Sequence, residues 1–304
     1  MRKYFYFFLL VSIYINAQTP AWNTAKVSGG IPYQSSTQTV TDSQGNVYSF
    51  GIFDGSISFD NLSPITASYF SNGTKFFAKF DSVGNCLWLK KIEGTNTFTI
   101  NSAIIDNNNN IIIGCRSDSN LTNTVSLDDT TPIIQIDGNN FFLAKFDTNG
   151  TFLWSKKQDL GINYSSGIGD MTLGENNTFY VSGTYHSSGM TIDGINLPVN
   201  SFGNSNMFIG HFNSDGTIIW IKGFGDDTMD YGAPNIHFHE GNLFLSSFSN
   251  SDISFESVDI IVPESPYSFQ FILKMSPTGT PISGHEVNLP LSNLNYIKKE
   301  FYGS

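Results

Sequence analysis

The sequence predicts an all-β chain built from four copies of one four-stranded antiparallel sheet, and three observations predict it. Trp22, Trp88, Trp154 and Trp220 follow one another at intervals of 66 residues, and they are all the tryptophans of the 304-residue chain. Self-similarity at such a period marks a repeat architecture, in which each copy buries a face against the next. The composition is 39% hydrophobic and 14% aromatic but only 13% charged, against about 25% in an ordinary soluble protein. Such a chain buries aromatic surface and solvates itself with Asn, Ser, Thr and Gly, so most of it is not disordered. Third, turns of the Asp-Ser-Gln-Gly-Asn kind, as at Asp42–Asn46, recur between short apolar runs.

The first element is a leader. Arg2 and Lys3 precede an uncharged apolar run from Tyr4 to Ile15, followed by Ala17 and then Gln18. This is the three-region pattern of a secretory signal peptide over residues 1–17, with cleavage expected after Ala17. The run of about 12 residues falls short of the ~20 that a membrane-crossing helix needs. A membrane anchor is the competing reading, opposed by the polar sequence from Gln18 onward. No Cys stands at the cut, so no lipid-modified N-terminus is expected. Loss of Arg2 and Lys3 takes the net charge from −11 to −13. That disfavours nucleic acid and anionic lipid surfaces and leaves cations and neutral polymers such as glycans.

Residues 18–304 then read as a single domain of four units, about 36–94, 98–161, 165–227 and 230–287, with a tail over 288–304. Each unit holds four strands, a to d. In the first, a lies near Thr37–Thr41, b near Val47–Phe53, c near Phe76–Phe80 and d near Cys86–Ile92. The a–b and c–d turns are Asp42–Asn46 and Asp81–Asn85, where Asp bonds local backbone and Gly accepts positive φ. Their cognates are Asp106–Asn110 and Asp147–Thr151, Gly174–Thr178 and Asn213–Thr217, then His239–Asn242 and Ser276–Thr280. The recurring structural positions include Phe80, Phe146 and Phe212 on strand c, and Gly84, Gly150 and Gly216 in the c–d turn.

Strand alternation carries the packing argument. Phe76, Ala78 and Phe80 share one face of strand c while Phe77 and Lys79 share the other, so both faces are largely apolar. A strand apolar on both sides must be covered on both, which implies sheets stacked face to face in series. Lys79, Lys145 and Lys274 end their face and are expected to carry the ammonium out to solvent along the alkyl stem. A catalytic lysine is the sharper reading, but recurrence in three units favours a structural one.

Between b and c runs an excursion with its own apolar pairs, Ile57 and Phe59, Val125 and Leu127, Met190 and Ile192, Ile253 and Phe255. It is expected to form an extra hairpin or an extended arm. The lysines of the d strands, Lys90, Lys91, Lys156, Lys157 and Lys222, suit an outer edge protected from pairing with other molecules; a basic binding patch is the rival. Cys86 fills a slot taken elsewhere by Phe152 and Ile218, and Cys115 one taken by Gly51, Gly183 and Ser247. Both read first as buried packing residues, with a disulfide as the alternative.

The segments Asp42–Gly51, Phe77–Trp88, Leu143–Trp154 and Ile209–Trp220 resemble the SBBP-type β-propeller repeat of secreted bacterial proteins. The resemblance covers residues 22–284, and the fourth copy departs from it, having Gly279-Thr280-Pro281-Ile282-Ser283 with no Trp. It implies radial blades and an extracellular or cell-surface address, and it brings no catalytic residues. The expected fold is therefore a β-propeller of four blades, with five as the alternative. Trp22–Val27 reads as a lone d strand that closes the ring, although the fourth unit brings a degenerate d strand of its own. An open arc, from a truncated chain, is the competing architecture.

Two clusters invite chemistry. His237-Phe238-His239-Glu240 sets two imidazoles on one strand face, a spacing able to chelate a transition metal. No third ligand is identifiable, and the favoured reading makes His239 a turn residue and His237 an inner-strand residue. Asp226, Asp227 and Asp230 offer hard oxygen ligands for Ca²⁺ or another partner in the loop after unit three, although a solvated loop is the favoured reading. No cofactor is otherwise expected. Ser214–Trp220 superficially resembles the Asp-box of sialidases, but its spacing fails. Neither Gly-x-Ser-x-Gly, Walker A nor His-Glu-x-x-His appears. The sequence thus favours a secreted, non-enzymatic binding module for an extracellular glycan or protein, acting through loops at one end. Alternatives are a glycan-active hydrolase or lyase with acids in a central funnel, and a spacer piece of a larger surface protein.

Overall fold

The computed structural model describes residues 29–31, 34–68, 74–118, 121–127, 133–159, 166–186, 188–197, 205–224, 233–249, 253–260 and 269–287. The leader, Trp22 and the tail lie outside them. The described residues form strands joined by turns and one short 3₁₀ turn at Glu175–Asn177. A short strand β1 (Gly29–Ile31) precedes the first unit, which contains β2 (Gln34–Thr41), β3 (Val47–Phe53), β4 (Ser56–Ser58), β5 (Ile65–Thr66), β6 (Thr74–Phe80) and β7 (Cys86–Gly94). The second contains β8 (Phe98–Ile105), β9 (Ile111–Ser117), β10 (Asn123–Ser126), β11 (Ile133–Ile136), β12 (Phe141–Phe146) and β13 (Phe152–Lys157). The third contains β14 (Gly167–Leu173), β15 (Phe179–His186), β16 (Met190–Ile192), β17 (Ile195–Leu197), β18 (Ser205–Phe212) and β19 (Ile218–Phe224). The fourth contains β20 (Asn235–His239), β21 (Asn242–Ser249), β22 (Ile253–Phe255), β23 (Val258–Ile260), β24 (Phe269–Met275) and β25 (Pro281–Val287).

Each unit is one antiparallel meander: β2-β3-β6-β7, β8-β9-β12-β13, β14-β15-β18-β19 and β20-β21-β24-β25. The expected strands a to d are these four in order, and the fourth unit does supply its own d strand, β25. The b–c excursions are hairpins: β4 with β5, β10 with β11, β16 with β17 and β22 with β23. Two of them reach backwards. β10 pairs with β7, the d strand of the preceding unit, and β4 pairs with β1.

The turns form where the sequence placed them. The first backbone N–H of each Asp or Asn turn bonds the carbonyl four residues on, as in Asp42 to Asn46, Asp106 to Asn110, Asp147 to Thr151 and Asn213 to Thr217. In the Asp-led turns the carboxylate accepts further backbone N–H groups; Asp42 Oδ1 takes those of Gln44 and Asn46, each at 2.9 Å. The turn is thus closed by its own side chain, which is why its sequence recurs.

Three apolar cores separate consecutive sheets. Tyr48, Phe50 and Phe77 of the first sheet meet Ile111, Ile113, Phe142, Ala144 and Phe146 of the second. Ile112, Phe141 and Leu143 of the second meet Phe179, Val181, Phe208 and Phe212 of the third. Tyr180, Met207 and Ile209 of the third meet Leu243, Leu245, Phe271 and Leu273 of the fourth. Adjacent residues on one strand, such as Phe141 and Phe142, serve different cores, as a period of two requires. A fourth cluster, with Phe53, Phe76, Ala78 and the excursion residues Ile57 and Phe59, covers the outer face of the first sheet. Among the described residues the sheets are successive and no closed sheet forms.

One expectation is corrected, and the first reading of the cysteines as buried packing residues holds. Lys79 and Lys145 do not reach solvent; they are 8% and 5% exposed. Their ammonium groups turn to the neighbouring unit, where Lys79 Nζ meets the Thr148 carbonyl at 3.2 Å and Lys145 Nζ the Ser214 carbonyl at 2.6 Å. A carbonyl of the next c–d turn takes the place that solvent was expected to fill. The alternative of a disulfide is also set aside. Cys86 and Cys115 are not joined by a disulfide and are buried in different clusters.

Candidate functional site

The first strands of the four meanders lie side by side, β2 against β8, β8 against β14 and β14 against β20. The sheets therefore converge along these strands. β2, β8 and β14 each carry a bulge at the same level, leaving Thr37, Asn101 and Gly169 out of the ladder. Such bulges re-aim the next side chain, and here that residue is polar each time: Gln38, Ser102 and Asp170. Gln38 Nε2 donates to the Asn101 carbonyl at 2.7 Å, and Ser102 Oγ to Asp170 Oδ1 at 3.2 Å. From the fourth unit, the Ile236 N–H reaches Asp170 Oδ2 at 3.3 Å. One carboxylate thus ties together three consecutive units.

Around this belt the inner strands expose Ser36, Thr37, Thr39, Thr41 and Thr99, then Asn235, His237 and His239. Hydroxyls, an amide and imidazoles suit hydrogen bonding to a neutral polar ligand. Asp170 is the one acid in the four inner strands, whereas glycoside hydrolysis calls for a pair roughly 5–9.5 Å apart.

Sequence reasoning did not single out Asp170, because it occurs in one unit and an analysis by period discards it. The available signal was an acid after Gly169 within an otherwise uncharged a strand. Of the predicted candidates, His237 and His239 both stand on β20, His239 as its last paired residue before the turn at Glu240; both are exposed, with ring centroids 6.1 Å apart and nearly parallel. Glu240 Oε1 lies 3.6 Å from His239 Nε2, and both side chains are well exposed. Among the described residues no group of three His, Cys, Asp or Glu is placed to hold a metal ion. Asp226, Asp227 and Asp230 lie outside the described residues.

The recurring residues hold the units together at the end that carries the a–b and c–d turns. A Cβ on Gly150 would lie 3.0 Å from the Trp88 ring, one on Gly216 3.2 Å from Trp154 and one on Gly279 2.9 Å from Trp220. Each indole therefore packs against the glycine of the next unit's turn. Trp154 Nε1 donates to the Ser214 carbonyl and Trp220 Nε1 to that of Pro277, both at 3.1 Å. The a–b turns are linked likewise, for Ser43 bonds Asn109 Oδ1 and the Asn107 N–H bonds Asn177 Oδ1. Both accepting residues sit at positive φ, 60° and 61°.

A buried ion pair, a half-buried histidine and a buried lysine complete the picture. Lys145 and Asp106 form an ion pair at 2.7 Å with side chains 6% and 1% exposed. Burial would raise the Asp106 carboxyl, but Lys145 and the bonds from Asn110 hold it below the usual range. His211 takes the place of that lysine in the third unit, stacked on Tyr180 at 4.1 Å, and burial pushes it down to about 4. Lys75, 1% exposed, lies 4.5 Å from the Phe98 ring centroid. Burial pushes it down to about 8 against the opposing pull of Cys115, Asp118 and Asp54.

No known family model matches the chain. It is 26% identical over 231 residues to an uncharacterized WD repeat-containing protein, L264, of Acanthamoeba polyphaga mimivirus, a span of 65% of this chain and 16% of that protein. A crystal structure of a protein of unknown function from Dyadobacter fermentans aligns over 80% of this chain and 91% of the other, with 8% identity and a TM-score of 0.32. The first likeness, with the four meanders, supports a repeat protein of propeller-like character. It does not extend to the particular repeat type that the sequence resembles.

Proposed function

We propose that the chain is a secreted β-propeller, of the SBBP repeat type and with one blade per meander, that acts as a binding module for an extracellular glycan or protein. One observation carries this reading: the residues that recur are consumed in holding unit to unit. Trp88, Trp154 and Trp220 cover glycines, and Lys79 and Lys145 meet turn carbonyls. Chemistry that differs from unit to unit is left to the inner-strand belt and to the loops at the far end, where binding residues usually reside. The leader supports export, and the net charge supports neutral ligands over polyanions.

A hydrolase acting through acids near the axis is the second reading. Asp170 speaks less for it, because its two oxygens already accept the Ser102 hydroxyl and the N–H groups of Met171 and Ile236. A glycan array run beside a panel of chromogenic glycosides separates the two. Saturable binding without turnover is expected, and Asp170→Asn should weaken binding while releasing no chromophore in either form. Turnover that disappears on this substitution would replace the binding reading with the hydrolase one.

A further inference from the structure

The three seams between described sheets are one interface repeated, and each end of the series carries one half of it. At a seam the earlier sheet presents apolar residues such as Tyr48 and Phe77, Leu143, or Tyr180 and Ile209, none more than 1% exposed. At the first two seams it adds Lys79 or Lys145, whose ammonium bonds a carbonyl of the next c–d turn. The later sheet offers that turn and the last residue of its c strand, Phe146, Phe212 or Met275, again at most 1% exposed. In the third and fourth units it also offers an inner-strand residue, Met171 or Ile236, each 4% exposed.

The fourth sheet repeats the first half on the face turned away from the third. Leu243, Leu245, Phe271 and Leu273 enter the core, so alternation puts Phe244, Phe248, Ile272 and Lys274 on the far side. Phe244 pairs with Lys274 as Tyr48 pairs with Lys79, and Ile272 stands where Phe77 does. The ammonium of Lys274 lies 5.8 Å from the Phe244 ring centroid, that of Lys79 5.0 Å from the Tyr48 ring. Yet Phe244, Ile272 and Lys274 are all partly exposed, and Phe248 is 46% exposed. Asn235, in the register of Asp170, is exposed too. The first sheet repeats the second half. Ser82 stands in its c–d turn where Thr148 and Ser214 stand in theirs. Phe80 is partly exposed where Phe146 and Phe212 are buried, and Thr39 is exposed where Met171 and Ile236 are buried. Among the described residues β20 does not lie along β2 as the other inner strands lie along one another.

We propose that the fourth sheet of one copy docks on the first sheet of a second copy, and that the reciprocal contact closes the pair into one ring. The proposal rests on the reading of each meander as a propeller blade. The two faces differ, so the contact is head-to-tail, and such contacts close when the rotation per copy allows. Two copies give about eight blades, within the range of propellers, and three would exceed it. The new seam is weaker than the other three, because Ser283 stands where Trp220 does and Gln270 where Met207 does. Association is therefore reversible.

Sedimentation equilibrium of the full mature chain tests this. A reversible dimer with no larger species is expected. Lys274→Glu alters one half of the contact and Thr39→Arg the other. Neither side chain is buried in the single chain, so thermal midpoints of the monomeric species should shift by less than about 2 °C. Each variant alone has lost both seams and should dimerise about tenfold or more weakly. An equimolar mixture keeps one intact seam and should associate more tightly than either variant. A chain that stays monomeric, a variant that dimerises as before, a mixture no tighter than its parts, or growth beyond two copies would each overturn the proposal. A monomer that still binds glycan would overturn the ring and leave the binding module standing; a dimer that binds none would do the reverse.

Discussion

Lys75 occupies a position that the second and third units fill with Phe141 and Met207, and the difference is costly. An ammonium 1% exposed has lost most of its hydration and lies against the Phe98 ring. Its folded pKa near 8 lies below the unfolded value of about 10.4. Between these values the unfolded chain binds more protons, so stability should rise as pH increases from about 8 to 10.4, and the penalty is complete below that window. Lys75→Met should therefore raise the denaturant midpoint at pH 7 and flatten this part of the stability profile. Urea titrations at pH 7, 9 and 10 check both. His211 behaves the same way lower on the scale. Its folded pKa near 4 is below the unfolded value of about 6.5, so stability should fall as pH drops through that interval. His211→Phe should remove this dependence, and melting curves from pH 7 to 4 would reveal it. The Lys145–Asp106 pair is different, because Lys145→Met leaves Asp106 buried without its cation. A loss of about 3–5 kcal/mol in equilibrium unfolding is expected.

At the scale of elements, the coupling of one meander to the next rests on a close contact between an indole and a turn. Gly150 and Gly216 have φ of 68° and 84°, and a Cβ there would crowd the indole at 3.0 and 3.2 Å. Alanine there meets both a left-handed backbone and a ring, and each substitution should cost about 1–3 kcal/mol, read from chemical denaturation. The outer ion pairs Lys156–Asp193 and Lys222–Glu256 are partly solvated. Replacing Asp193 by Asn should change stability by less than about 1 kcal/mol.

The whole molecule is a series of sheets, each held by its neighbours, so its stability approximates a sum over interfaces. Leu143 belongs to the core between the second and third sheets and Leu273 to that between the third and fourth. Leu143→Ala and Leu273→Ala should each cost about 2–5 kcal/mol. Combined, they should add to within about 0.5 kcal/mol, because they share no partner. A large departure from additivity in urea denaturation would mean that the interfaces communicate.

The sequence by itself determined the period, the four strands of each unit, the turn positions and which strand faces are apolar. These follow from side-chain alternation and from Asp and Gly turn chemistry, both of which act within a few residues. The hairpin form of the excursions was half legible, since their paired apolar residues allowed an arm as well. Only the tertiary structure decided that Lys79 and Lys145 turn to a neighbouring carbonyl, that an indole packs against Gly150, Gly216 and Gly279, and that Asp170 joins three units. Those contacts link residues about 60–70 positions apart. Their partners are set by how one twisted sheet settles on the next, and no local pattern encodes that.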